Sequence, residues 1–238
     1  MYADRLREAL NRMSNEVYDT LELRRYFASP LTRPGSEVRN AMMRHYFVPT
    51  NRDCWAYVMG GAPIDVKQVI WKHEQDELIF DPRLGAAHVA ADGDRPDRER
   101  PDAVVPEGIE PPSGVVVAMF ARRQFAKDSH WLPGIAASHI MERMNDPTVV
   151  KDGALVQRGV RQLREDLHVP EEQLPANARV HQDADVEHAG MLWGVFERHV
   201  RGEDTYRQAM YGAKFGLDCF RVYAGAVGDL MASVAPRG

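Results

Sequence analysis

The chain is 238 residues long, 44% apolar and 27% charged, with a formal net charge of −5. That length suits one large domain or two small ones, and the acidic balance excludes a general attraction to nucleic acid or anionic membrane. Two cysteines, Cys54 and Cys219, are too few for a disulfide framework and read as buried thiols of a reducing compartment.

Helical periodicity dominates from the first residues. Leu6, Leu10, Met13, Val17 and Leu21 recur every three or four positions and predict an amphipathic helix over Tyr2–Phe27. The opening Met1-Tyr2-Ala3-Asp4-Arg5 lacks the apolar stretch of a signal peptide, and no run approaches the roughly 18 apolar residues of a membrane span. The expectation is a cytoplasmic protein. After the Pro30–Gly35 break the pattern predicts a second helix over Val38–Phe47, and Asp65 reads as the N-cap of a helix over Val66–Leu78. Ala91–Pro112, with five prolines among many charges, reads as a polar surface insertion within one helical domain spanning 1–238. Helices are then expected over Ser113–Lys127, Trp131–Met144, Val150–Leu167, Ala176–Arg201 and Asp204–Ala232. The fold class is all-α, a bundle with short connections. Gly212, Gly216, Gly225 and Gly228 on the last helix follow no strand, so they signal close helix packing rather than a nucleotide loop.

The most informative segment is His181-Gln-Asp-Ala-Asp185-Val-Glu-His188. Positions i, i+4 and i+7 fall within an arc of about 60° on one helix face, so two imidazoles and a carboxylate point one way. Val180, Ala184, Met191, Leu192 and Val195 flank that face with apolar groups, and a buried charge has to be paired or coordinated. Neutral imidazole with carboxylate is the donor set of a redox-active iron site. One helix cannot complete such a site. Further donors come from Trp71–Phe80, where Ile70, Glu74, Glu77 and Leu78 are expected to share a face, from His88 beyond the Asp81–Gly85 turn, and from Glu142 on an otherwise small and apolar helix. His139 reads as a satisfied polar residue, and Trp55, Tyr46, Tyr57 and Trp193 as core. Arg24, Arg25, Arg44 and Lys151 are the cations available to hold a substrate carboxylate.

With those residues in view the chain resembles the haem-oxygenase-like di-iron oxidases, relatives of the thiaminase-II and pyrroloquinoline-quinone-synthase fold. The late-helix signature His-x3-Asp-x2-His stands at His181, Asp185 and His188; Asp76-Glu77 and His88 fit the early ligands; Glu142 ahead of Pro147 fits the middle one. The resemblance runs from about Leu21 onward, with a longer gap between Glu77 and His88 than the family pattern. Glu74 therefore stands as an alternative to Glu77, and His73 as an alternative to His88. The resemblance implies about seven core helices and two Fe2+ ions held by Glu77, His88, Glu142, His181, Asp185 and His188. It implies O2 as co-substrate and a small amine or amino-acid-like substrate, oxidised by N-oxygenation, C–C cleavage, decarboxylation or nitrile formation. The ligand types suit iron and a mixed iron–manganese pair alike, and a homodimer is left open. The competing readings are a metal-independent thiaminase-like or cofactorless enzyme of the same fold and a non-catalytic helical partner protein.

Overall fold

The computed structural model describes residues 1–79 and 110–235, except for the side chains of 176–180 and 182–183. Among the described residues every regular element is helical. The order is α1 (Tyr2–Glu16), α2 (Leu21–Tyr26), α3 (Arg33–Met42), α4 (Val48–Gly61), α5 (Ile64–Leu78), α6 (Ser113–Asp128), α7 (Trp131–Asn145), α8 (Leu155–Glu165), α9 (Ala176–His199) and α10 (Glu203–Ser233). The all-α expectation holds. Apart from residues 110–112, the insertion expected at Ala91–Pro112 lies outside the described residues.

The bundle is organised around α7. Every residue from Leu132 to Met144 is buried, because the segment carries no charged side chain before Glu142 and so has no face that prefers water. The 31-residue α10 lies along it at backbone contact. A Cβ on Gly212 would sit 2.0 Å from the Pro133 carbonyl oxygen, and one on Gly216 would sit 2.2 Å from that of Ala137. Real Cβ atoms do not come so close, so these two positions, four apart on both helices, admit only glycine. Gly228 meets the backbone of Arg25 on α2 in the same way. Close packing is what the late glycines supply.

Several boundaries differ from the sequence expectation. The first helix ends at Glu16, passes through a 3-10 turn at Val17–Asp19, and restarts after Thr20, whose extended backbone turns α2 inward. The second begins earlier and runs further. A π-helical turn at Met43–Phe47 joins α3 to α4, and Pro49 falls in the first turn of α4, where a missing N–H costs nothing. Asp65 is not the cap of α5; Pro63 holds that place. The Asp65 carboxylate instead accepts from Arg198 Nε and His199 Nε2, each at 2.9 Å, and so ties the start of α5 to the end of α9. The helix expected over Val150–Leu167 is confined to Leu155–Glu165.

A Gly216→Ala substitution should cost about 3 kcal/mol, since a methyl group has to force two backbones apart. Gly159→Ala on α8, where a Cβ meets nothing within 4 Å, should gain about 0.5 kcal/mol through the unfolded chain. Urea unfolding of the two variants compares them directly, and similar midpoints would deny the close approach of α10 to α7.

Candidate metal centre

Three helices bring their titratable side chains to one place inside the bundle. On α5, Ile70, His73, Glu74 and Glu77 are buried, a stripe at i, i+3, i+4 and i+7. Leu78, expected on that face, is about half exposed; the face is rotated by one position and so takes in His73. On α7, His139 and Glu142 are one turn apart and buried, and on α9 Asp185 and His188 are buried while His181 keeps a partly exposed edge.

The distances show what meets what. His73 Nε2 lies 3.5 Å from Glu142 Oε1, and His73 Nδ1 lies 2.9 Å from Glu74 Oε1. His188 Nδ1 is 3.7 Å from Glu77 Oε1, and its Nε2 is 3.5 Å from Asp76 Oδ2. The His73 and His188 rings face each other at 4.4 Å between centroids. His181 Nδ1 and Asp185 Oδ1 are 2.9 Å apart, as their i, i+4 spacing requires. One donor atom each from His73, Glu77 and His188 falls within a mutual 4.8 Å, a separation at which one ion can be held.

Of the sequence-predicted ligands, Glu77, Glu142 and His188 lie against His73 or one another, while His181 and Asp185 pair with each other on α9, within electrostatic reach of Glu77 and Glu142. His88 lies outside the described residues. His73, its named alternative, is part of the cluster. Arg52 was missed altogether. It reaches in from α4, with Nη1 at 2.8 Å from Glu74 Oε1 and 3.4 Å from Glu77 Oε2. No pattern marks it, because its segment, with Pro49 and Gly60, carries no clear helical stripe. The cations expected to line a cavity point elsewhere: Arg24 and Arg25 are exposed and pair with Asp19 and Asp229, and Lys151 is exposed. Tyr57 is exposed as well, whereas Trp55 and Trp193 are core.

Electrostatics sharpen the picture. Four carboxyl groups, from Glu74, Glu77, Glu142 and Asp185, are buried with the Arg52 guanidinium. Neutrality in a low-dielectric interior then has to come from protons on imidazoles or from bound cations. Burial works against a charged His73, but the Glu142 carboxylate 3.5 Å away and the hydrogen-bonded Glu74 outweigh it and lift the ring to about 9. Glu142 stays ionised against its own burial because His73 pairs with it. His181 is lifted by Asp185 in the same manner. Asp185 itself is pushed up to about 6, by burial and by the charges of Glu142 and Glu77. Its Oδ2 is buried with no hydrogen-bond partner among the described residues. A carboxylate oxygen left open in a cluster with excess negative charge is the signature of a cation seat. Imidazole and carboxylate donors fit a transition-metal ion such as iron.

Around this polar centre the shell is aromatic. Trp55 lies 5.0 Å from His73, and Phe196 and Trp193 lie 4.9 and 6.3 Å from His139. Both ring nitrogens of His139 lack hydrogen-bond partners among the described residues. Burial, with Arg143 one turn away, pushes this ring down to about 3 and keeps it neutral. The expectation that His139 is a satisfied polar residue is corrected.

Fold and site together define an all-helical bundle with a buried histidine–carboxylate cluster shared by three helices. Among solved structures, the fold is similar to that of a CADD-like protein of unknown function from Nostoc punctiforme, with a TM-score of 0.66 over 96% of this chain and 97% of that one. Sequence identity is 13%, so the likeness carries the fold alone. No family model matches the chain, and no curated protein matches it in sequence. Among the described residues, no helix is long and apolar enough to cross a membrane.

The raised imidazoles give a pH dependence of definite sign. A ring whose folded pKa lies above its unfolded value near 6.5 stabilises the fold fully below that value and loses the contribution as pH rises through the folded one. Metal-free protein should therefore lose thermal stability between about pH 6.5 and pH 9, as His73 and His181 give up their protons. Glu142→Gln removes the partner that holds the His73 proton, so its melting temperature should fall less steeply across that window. Parallel slopes for the variant and the natural protein would show that His73 is not paired as described.

Proposed function

We propose that the chain is a non-haem di-iron oxidase or oxygenase of haem-oxygenase-like fold. It would activate O2 to oxidise a small amine or amino-acid-like substrate. The observation that carries this reading is the convergence of imidazoles and carboxylates from α5, α7 and α9 in one buried cluster with an open carboxylate oxygen. The His-x3-Asp-x2-His spacing at His181, Asp185 and His188 and the fold likeness support it.

Glu77, Glu142, His181, Asp185 and His188 would hold two ions, with a sixth ligand from His88 or from His73. Iron held by these residues would supply the electrons for O2 reduction. The protein's own part follows from its geometry. The carboxylates of Glu77, Glu142 and Asp185 would offset three of the four positive charges of two divalent ions, which a cluster of neutral donors could not do. The Trp55 and Phe196 surfaces exclude water from His73 and His139, and so protect a reactive oxidant from quenching. His181 keeps a partly exposed ring, while Asp185 and His188 on the same helix are enclosed. A metal-free enzyme with a thiol nucleophile would need a lowered thiol pKa. Burial moves Cys54 and Cys219 the other way, Cys219 to about 11.

Anaerobic loading with Fe(II) should reach two irons per chain by elemental analysis, and saturation at one or none in folded protein would defeat the di-iron reading. Asp185→Ala should keep the helical circular dichroism of the natural protein and abolish O2 consumption by the loaded protein. Undiminished consumption would move the chemistry away from α9. Under the same loading, His73→Ala and His88→Ala separate the two candidates for the sixth ligand: the true ligand's variant falls below two irons.

A further inference from the structure

We propose that Arg52 is the resident counter-ion of this centre, a fixed positive charge held against Glu74 and Glu77 that opposes an incoming divalent ion at Glu77. It thereby sets the affinity of the site. The proposal rests on the reading of the cluster as a metal centre and adds a residue from outside the ligand-bearing helices.

Three observations converge on it. First, the position of Arg52: its side chain is nearly buried, it comes from α4, and it lies three residues before the Trp55 whose ring covers His73. Second, its contacts. A single nitrogen, Nη1, touches both carboxylates, at 2.8 and 3.4 Å, while the buried Nε has no hydrogen-bond partner among the described residues. A structural arginine uses its fork bidentately and satisfies its donors; this one is placed by charge, with a donor left over. Third, its chemistry. Guanidinium stays protonated at any working pH, so unlike the neighbouring imidazoles it cannot yield to a metal by releasing a proton. It stays as a positive charge on Glu77 Oε2, beside the Oε1 that faces His188. A divalent ion on Glu77 and a guanidinium a few ångströms away repel each other strongly even at the effective dielectric of about 20 that suits protein sites. Glu74, the nearer carboxylate at 2.8 Å, anchors Arg52 beside Glu77.

The sign of the effect separates this role from a structural one. A residue that only props up the site would, when removed, loosen metal binding. Removing a competing charge tightens it. Co(II) is the probe, followed by calorimetry and by its visible absorption bands on purified metal-free protein. Arg52→Gln should bind Co(II) at least about tenfold more tightly than the natural protein, and its metal-free form should melt at a lower temperature, so the gain in melting temperature on adding Co(II) widens. Arg52→Lys keeps the charge and should bind within about twofold of the natural protein. Equal or weaker binding by Arg52→Gln overturns the proposal and leaves the metal reading intact, and so does a lysine variant that binds as tightly as the glutamine one. Failure of the natural protein to bind Co(II) overturns both. Should Arg52→Gln not fold, the Arg52 Nε–H resonance of 15N-labelled natural protein serves in its place. It should shift on addition of Zn(II), and an unmoved signal overturns the coupling.

Discussion

The contact on which the rest depends is the backbone approach of α10 to α7 at Gly212 and Gly216. A helix buried on all sides needs neighbours close enough to leave no void, because interiors are packed like crystals. Two glycines at a four-residue spacing let one helix settle onto another at a separation ordinary side chains forbid. With α7 held there, Glu142 is delivered to the centre of the bundle at a fixed depth. His139 is carried one turn away against Phe196 and Trp193, and α5 and α9 close over the remaining side.

Burial on that scale dictates the chemistry. A carboxylate in water is solvated cheaply; four carboxyl groups inside a bundle are not. The interior answers with the Arg52 guanidinium and with protons held on His73 and His181. Among the described residues it still leaves one oxygen of Asp185 without a hydrogen-bond partner. The pairing between His73 and Glu142 is thus two things at once, a source of stability in the metal-free protein and a pair of donors already turned toward each other.

The residues that could be read in the sequence are those whose neighbours along the chain explain them. The His181–Asp185–His188 stripe is visible because its apolar flanks and helical spacing are local. Glu142 is visible because it is the first charge in an otherwise apolar helix, and the late glycines because no strand precedes them. What stayed hidden depends on contacts distant in sequence. Arg52 acquires meaning only when α4 lies beside α5, 22 residues further on. The rotation of α5 that buries His73 in place of Leu78 is decided by what packs against it, since Glu74, Glu77 and His73 together span too wide an arc for periodicity to choose among them. The early helix boundaries slipped because Thr20 and the π-helical turn at Met43–Phe47 bend the chain without the proline or glycine that sequence reading relies on.

The clasp of Asp65 on Arg198 and His199 makes a lever of α9. Its fulcrum is at the C-terminal end, and at 1.5 Å of rise per residue His188 stands about 16 Å from it and His181 about 27 Å. A swing of about 5° about that fulcrum carries His188 through roughly 1.4 Å and His181 through more than about 2 Å. The two imidazoles of one stripe thus have unequal freedom by leverage alone. His188, nearer the fulcrum and wholly enclosed, is the less displaced of the two. His181, far out on the arm with its ring partly open to solvent, is the more displaced by any such swing.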